Sequence, residues 1–244
     1  MNPIFPYILL LLSLAGTFTK YVYIEEDNSW KDALDYCCEH YTDLAPVNNE
    51  HDIRKLQELS GGTTEKIWIG LIRSSSDKKK WLWSGGGEVS RFFWEGPPDD
   101  KSNDNYGYTE KNRWHDSDGR DRKHFFCYWP VVTEEKKAWE EAVEYCREHH
   151  NDLASVASET EMMLIQKELK KHNTTEHVWI GLRFLSRDWL WVDGEELDYE
   201  AWVEGGKPLC PHPKMKCAAL QVTEGSLGVW EAHDCEERRN FICY

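Results

Sequence analysis

The sequence predicts two homologous domains, each opening on amphipathic helices and continuing in short strands, and three observations carry that reading. Residues 29–47, SWKDALDYCCEHYTDLAPV, return as residues 138–156, AWEEAVEYCREHHNDLASV, so that Trp30, Ala33, Tyr36, Cys37 and Asp43 align with Trp139, Ala142, Tyr145, Cys146 and Asp152. Later landmarks recur in the same order: Trp68-Ile-Gly-Leu71 as Trp179-Ile-Gly-Leu182, Trp81-Leu-Trp83 as Trp189-Leu-Trp191, Trp94 as Trp202, Trp114 as Trp230, and Cys127 as Cys243. A chain of 244 residues also divides into two units of ordinary domain size. The copies are expected over 20–128 and 129–244.

In each copy Trp, Ala, Leu or Val, and Cys fall at i, i+3, i+4 and i+7, the spacing of one helix face. Cys37 and Cys146 therefore point into a core. Ser29 with Asp32 forms a capping-box pattern for the first helix, which Ala138 lacks in the second copy. Ser158 with Glu161, and more loosely Asn49 with Asp52, mark a second helix in each copy. Tryptophan-rich and β-branched runs broken by glycine follow, including 67–71 and 80–84, and read as strands and turns. Only Tyr128, Trp129 and Pro130 separate Cys127 from Val131, so the domains are expected to meet at a restricted angle.

The stretch 92–119, FFWEGPPDDKSNDNYGYTEKNRWHDSDG, reads as a long, displayed polar loop. Within it Asp99, Asp100, Asp104, Asp116 and Asp118 offer the oxygens that a hard cation such as calcium selects. A formal net charge of -15 argues against a nucleic-acid partner, because phosphate binding needs clustered cations. The N-terminal MNPIFPYILLLLSLAGTFTK reads as a signal peptide over 1–17, too short to span a bilayer. No other segment is apolar enough for membrane insertion, so a secreted, extracellular protein is expected. Eight cysteines suit that oxidising route, and Asn173-Thr174-Thr175 is a glycosylation acceptor along it.

A helix carrying WxxAxxYC, a WIGL segment, a WxW run, a long polar loop, a late Trp and a closing FxC together resemble the C-type lectin-like domain. The resemblance covers nearly the whole mature chain, twice, as in mannose-receptor-like repeats. It implies an α+β fold: two C-type lectin-like domains, each with two helices, two small antiparallel sheets and a long loop. It also implies disulfides Cys37–Cys127 and Cys146–Cys243, and a loop staple Cys217–Cys235 in domain two. Domain one has no such staple, its positions falling at Gly119 and near Asn105. Cys38 and Cys210 are left over, to pair with each other, to link two chains as a disulfide-linked dimer, or to stay free.

In the sugar-binding branch of the family, calcium is held by a Glu-Pro-Asn or Gln-Pro-Asp triplet, a downstream acidic residue, and the Asn and Asp after the late Trp. Domain one has Pro97-Pro98-Asp99 at the triplet and Trp114-His115-Asp116 after the late Trp, which keeps Asp99, Asp104 and Asp116 as calcium ligands. Such a partial set implies weak binding, on the order of 10⁻⁴ to 10⁻³ M. Domain two has Lys207-Pro208-Leu209 and Trp230-Glu231-Ala232, so calcium is expected in domain one only. Most of the 13 tryptophans sit at repeat-equivalent places and read as core, which leaves Tyr106 and Tyr108 as the aromatic candidates for ligand contact.

Asp116 to Asp121 has its glycine at the wrong place for an EF-hand, and no GxSxG or HExxH motif occurs. The expected function is that of a binding module rather than an enzyme: carbohydrate recognition through the domain-one loop, with weak calcium dependence. The alternative is calcium-independent binding of a protein receptor. Expected partners are accordingly glycans or glycoproteins, or a protein.

Overall fold

A computed structural model describes residues 19–98, 103–223 and 228–244. The expected signal peptide, 1–17, and two of the candidate carboxylates, Asp99 and Asp100, lie outside these residues. The first copy runs β1 (Tyr21–Asn28), α1 (Trp30–His40), β2 (Asp43–Leu44), α2 (Glu50–Leu59), β3 (Ile67–Arg73), β4 (Trp81–Trp83), β5 (Asp104–Glu110), β6 (Arg113–Asp118) and β7 (Lys123–Tyr128). The second runs β8 (Val131–Val132), α3 (Trp139–His149), α4 (Glu159–Leu169), β9 (His177–Leu185), β10 (Asp188–Trp191), β11 (Cys217–Gln221), β12 (Trp230–His233) and β13 (Ile242–Cys243). Each copy is thus α+β with two helices.

The helices start where their caps place them. Ser29 accepts from Asp32 N at 3.2 Å, Asn49 from Asp52 N at 2.9 Å and Ser158 from Glu161 N at 3.1 Å. Ala138 cannot cap α3, yet Glu141 still reaches back to accept from Ala138 N at 3.2 Å, so half of the capping box persists. In α1 and α3 the buried face holds Trp30, Ala33 and Cys37, and Trp139, Ala142, Val143 and Cys146. Cys37 bonds Cys127 and Cys146 bonds Cys243, across 90 and 97 residues. Each closure is worth about 4 kcal/mol in chain-entropy accounting.

In the second copy the strands form two antiparallel sheets, β10-β9-β11-β12 and β13-β8. In the first copy the corresponding sheets are joined, because Ile67 and Trp68 of β3 pair in parallel with His124 and Phe125 of β7. The equivalent contact in the second copy shrinks to a single parallel bridge, Trp179 with Phe241.

The two copies share one core. Residues of both, among them Tyr21, Val47, Trp83, Tyr128, Met162, Leu164 and Tyr244, form a continuous buried cluster. Helix α4 is responsible for much of it. Its sequence ETEMMLIQKEL is apolar around much of its circumference, and seven of its residues are buried, as expected for a helix enclosed on more than one side. The glycine run 85–87 receives it: a Cβ on Gly85 would lie 2.6 Å from Leu164 Cδ2, and Thr160 donates to Gly86 O at 2.8 Å. Gly85→Val is therefore expected to cost about 1 to 3 kcal/mol by overpacking, read as a lower denaturant midpoint. A midpoint equal to wild type would mean that α4 can move aside.

At the centre of this junction lies a buried ion cluster. Lys20 Nζ is 2.6 Å from Asp52 Oδ1, 3.1 Å from Glu161 Oε1 and 3.2 Å from Glu195 Oε1, and all four side chains are almost fully buried. Asp52 and Glu161 hold equivalent places in α2 and α4, so Lys20 sits between two helix N-termini, where carboxylates are favoured. Asn48 donates from its side chain to Glu161 and from its backbone to Asp52, and Asn49 and Ser155 donate to Glu195, tying each carboxylate into the other domain or its own loop. Tyr128 and Tyr244 join hydroxyls at 2.7 Å beside them.

Candidate functional site

The stretch expected as one long loop is largely a hairpin. Strands β5 and β6 pair from Asp104 with Asp118 to Glu110 with Arg113, and Lys111 and Asn112 turn between them with φ of 49° and 65°, as a type I′ turn requires. Trp114 anchors the hairpin, packed edge-on against Trp83, Phe93 and Trp94.

Asp104 and Asp116 are brought together, but around a cation the chain supplies itself. Arg73, at the end of β3, donates from Nη2 to Asp116 Oδ2 at 3.0 Å and to the Asp104 carbonyl at 3.3 Å. Its Nη1 donates to the Lys78 carbonyl, and its guanidinium lies 4.6 Å from the Trp81 ring. Arg73 is buried and Asp116 partly so, with 6% and 11% of their side chains exposed. His115, at the family's asparagine position, has Nε2 3.3 Å from Glu95 Oε2.

Tyr108, expected as a candidate for ligand contact, sits in the core. It is 7% exposed, stacks on His115 at 5.1 Å and meets the edge of Trp68 at 6.0 Å. Burial, with Glu110 and Asp116 adding, pushes its phenol up to about 12. Tyr106 is partly buried, its ring 4.8 Å from Trp30.

Strand register also refines the missing staple. Trp68 faces Tyr108 as Trp179 faces Ala219, and Tyr106 faces Ser117 as Cys217 faces His233. The counterpart of Cys217 is therefore Tyr106, one residue beyond the expected Asn105. Cys217 and Cys235 are bonded in the second copy. In the first, Tyr106 lies so close over Gly119 that a Cβ there would be 2.5 Å from its ring. An aromatic ring on a glycine thus replaces the disulfide. Beside it opens a groove of about 420 Å³ lined by Ser29, Lys31, Asn103, Asn105, Asp118 and Arg120 with Tyr106 itself. The Arg120 side chain and backbone bonds hold the Asp118 carboxyl at about 2, so the groove carries a solvent-exposed ion pair.

The profile of the Lectin C-type domain matches residues 26–129 and again 135–244. The chain belongs to the C-type lectin family. Its relatives include C-type mannose receptor 2 of Rattus norvegicus, 25% identical over 92% of this chain and 18% of the receptor. Killer cell lectin-like receptor subfamily F member 1 of Macaca fascicularis is 37% identical over 40% of this chain and 39% of its own. The chain therefore spans less than a fifth of the length of the mannose receptor it matches. Among solved structures, human lithostathine aligns with a TM-score of 0.41 and 25% identity, covering 45% of this chain and 89% of its own.

Within this C-type lectin chain the remaining predicted residues are placed as follows. Cys38 and Cys210 are both exposed and unbonded, so they do not pair with each other. Asn173 is exposed in the turn after α4. No helix among the described residues is long and apolar enough to cross a membrane. Arg73 was not singled out by the sequence; its only mark there is a cation closing an otherwise apolar strand.

Proposed function

We propose that this protein is a secreted recognition module, not an enzyme, that binds a glycan or glycoprotein through the domain-one groove beside Tyr106 without needing calcium. The observation that carries this is the Arg73–Asp116 pair. A guanidinium already neutralises a carboxylate that calcium would need, and displacing it would leave a buried arginine uncompensated. The groove meanwhile offers what a polyhydroxylated ligand uses: two amides at Asn103 and Asn105, an ion pair and an aromatic edge.

The test is a glycan array probed with the whole chain, with and without a calcium chelator. Binding should survive chelation, and Tyr106→Ala should weaken it about tenfold or more, as loss of an aromatic contact does. Signal that vanishes with chelator would overturn the calcium-free reading. The rival, calcium held weakly by Asp99, Asp104 and Asp116, predicts a calorimetric calcium response that Asp116→Ala removes. An array without signal, combined with capture of a protein partner that Tyr106→Ala abolishes, would move the reading to protein recognition at the same groove.

A further inference from the structure

The two copies differ in chemistry at one equivalent patch on three paired strands, β3-β5-β6 and β9-β11-β12, the last of which carries the late Trp. In the first copy Tyr108 fills it, flanked by Lys66, His115 and Lys123. In the second the same register puts Ala219 at the centre, and His177, Glu231 and Arg239 at the flanks, with His233 in the place of Ser117. A tyrosine ring has been exchanged for a methyl group, and two imidazoles and a carboxylate converge over the space it leaves.

Their ligand atoms all lie within 4.8 Å of one another. Nε2 of His177 is 3.4 Å from Glu231 Oε2, and Nε2 of His233 is 3.6 Å from the same oxygen. Neither distance and geometry makes a hydrogen bond, and both ring nitrogens are buried without a hydrogen-bond partner among the described residues. Leaving two buried polar atoms unpaired is costly, and such atoms need a reason. The spacing supplies one. Around a tetrahedral zinc ion with bonds of about 2.0 to 2.1 Å, neighbouring ligand atoms stand roughly 3.3 Å apart. The two His-to-Glu gaps already have nearly that length.

We propose that His177, Glu231 and His233 form a zinc-binding site in the second domain, with the fourth position open to water. Two imidazoles and one carboxylate are a zinc donor set, too rich in nitrogen for calcium. The three ligands stand on β9 and β12, on either side of β11, so the ion would clasp the edge strand β12 to the inner strand β9 beside the Cys217–Cys235 bond. His233 Nδ1 lies 3.0 Å from Arg239 Nη2 and 3.7 Å from Glu237 Oε1, and Arg239 is also bonded to Glu237. Arg239 can only donate, so Nδ1 accepts from it here and Nε2 carries the ring proton; for Nε2 to take the metal that proton shifts to Nδ1, Arg239 turns away, and Glu237 turns in to accept the Nδ1–H bond, as the usual outer partner of a zinc-bound imidazole does. No net proton is gained or lost in that exchange. In the first copy the equivalent trio Lys66, His115 and Ser117 lacks the ligands, so one ion per chain is expected.

Calorimetric titration of the whole chain with zinc, and cobalt substitution read by its visible absorption, test the site. The expected result is one zinc per chain and a tetrahedral cobalt spectrum. His177→Asn and Glu231→Gln should each weaken zinc about tenfold or more. Glu231 is the safer variant, since its side chain is partly exposed and its loss should leave the metal-free melting temperature near wild type. His149→Ala with His150→Ala, and Cys38→Ser with Cys210→Ser, should bind zinc as wild type does. Absence of zinc heat, or affinity lost in those control pairs and kept in Glu231→Gln, overturns the proposal.

Discussion

Replacing Lys20 by methionine is expected to lower the unfolding free energy by about 3 to 5 kcal/mol, the cost of removing one partner from a buried ion cluster. For a chain of this size that corresponds to roughly 10 °C in melting temperature. The size follows from what remains: Asp52, Glu161 and Glu195 would face one another at the domain junction with no cation between them. A second change, Glu195→Gln, should recover part of the loss, because Glu195 is the carboxylate of the three that is held charged. Equal melting temperatures for Lys20→Met and wild type would show that the cluster contributes nothing.

The same cluster gives the protein a pH dependence of definite sign. Burial pushes the Glu161 carboxyl up to about 8 from its ordinary 4.5, with Lys20 pulling it down and Asp52 and Glu195 adding to the rise. Burial likewise raises Asp52, against Lys20. The folded chain therefore holds protons that the unfolded chain releases. Stability from Glu161 is fully present below the ordinary carboxylate range and drains away as pH rises through about 8, and Asp52 acts in the same sense. Lys20 is disfavoured by burial but held protonated by its three carboxylates, well above an ordinary lysine, so its loss comes only at strongly alkaline pH. Glu195 acts in the opposite sense: burial works against it, but Lys20, Ser155 and Asn49 hold it low, and its contribution fades at acid pH. Melting should fall by several degrees between pH 6 and pH 9, and by much less in Glu161→Gln.

The second large effect is expected at Arg73. Arg73→Met keeps much of the stem over Trp81 but removes the cation beside Asp116, at a cost of about 3 kcal/mol. Calcium should then act on the variant more than on wild type. Added at millimolar concentration, it should raise the melting temperature of the variant by neutralising the orphaned carboxylate, while leaving wild type nearly unchanged. Failure of calcium to stabilise the variant more than wild type would sink the view that the guanidinium stands in for a metal.

Much of the fold was legible because it rests on local or repeated patterns. The helix face Trp30, Ala33, Cys37, the caps at Ser29, Asn49 and Ser158, and the tandem landmarks are properties of spacing, and spacing is written in the chain. The stretch 92–119 was legible as special but misread as a loop throughout. Its alternation of polar and aromatic residues hides a hairpin whose buried side holds Tyr108 and Trp114. A sequence does not say which neighbour a polar strand will meet.

What the sequence determined by itself was the tandem repeat and its helix faces, since those depend on periodicity, while the C-type lectin fold and its long disulfides were what the resemblance carried by those motifs implied. Only the tertiary structure decided the chemistry. Lys20 meets Glu161 across 141 residues, Arg73 meets Asp116 across 43, and His177 meets Glu231 across an intervening strand. Charges and ligands act over a few ångströms, and chain folding, not chain order, sets which of them come that close.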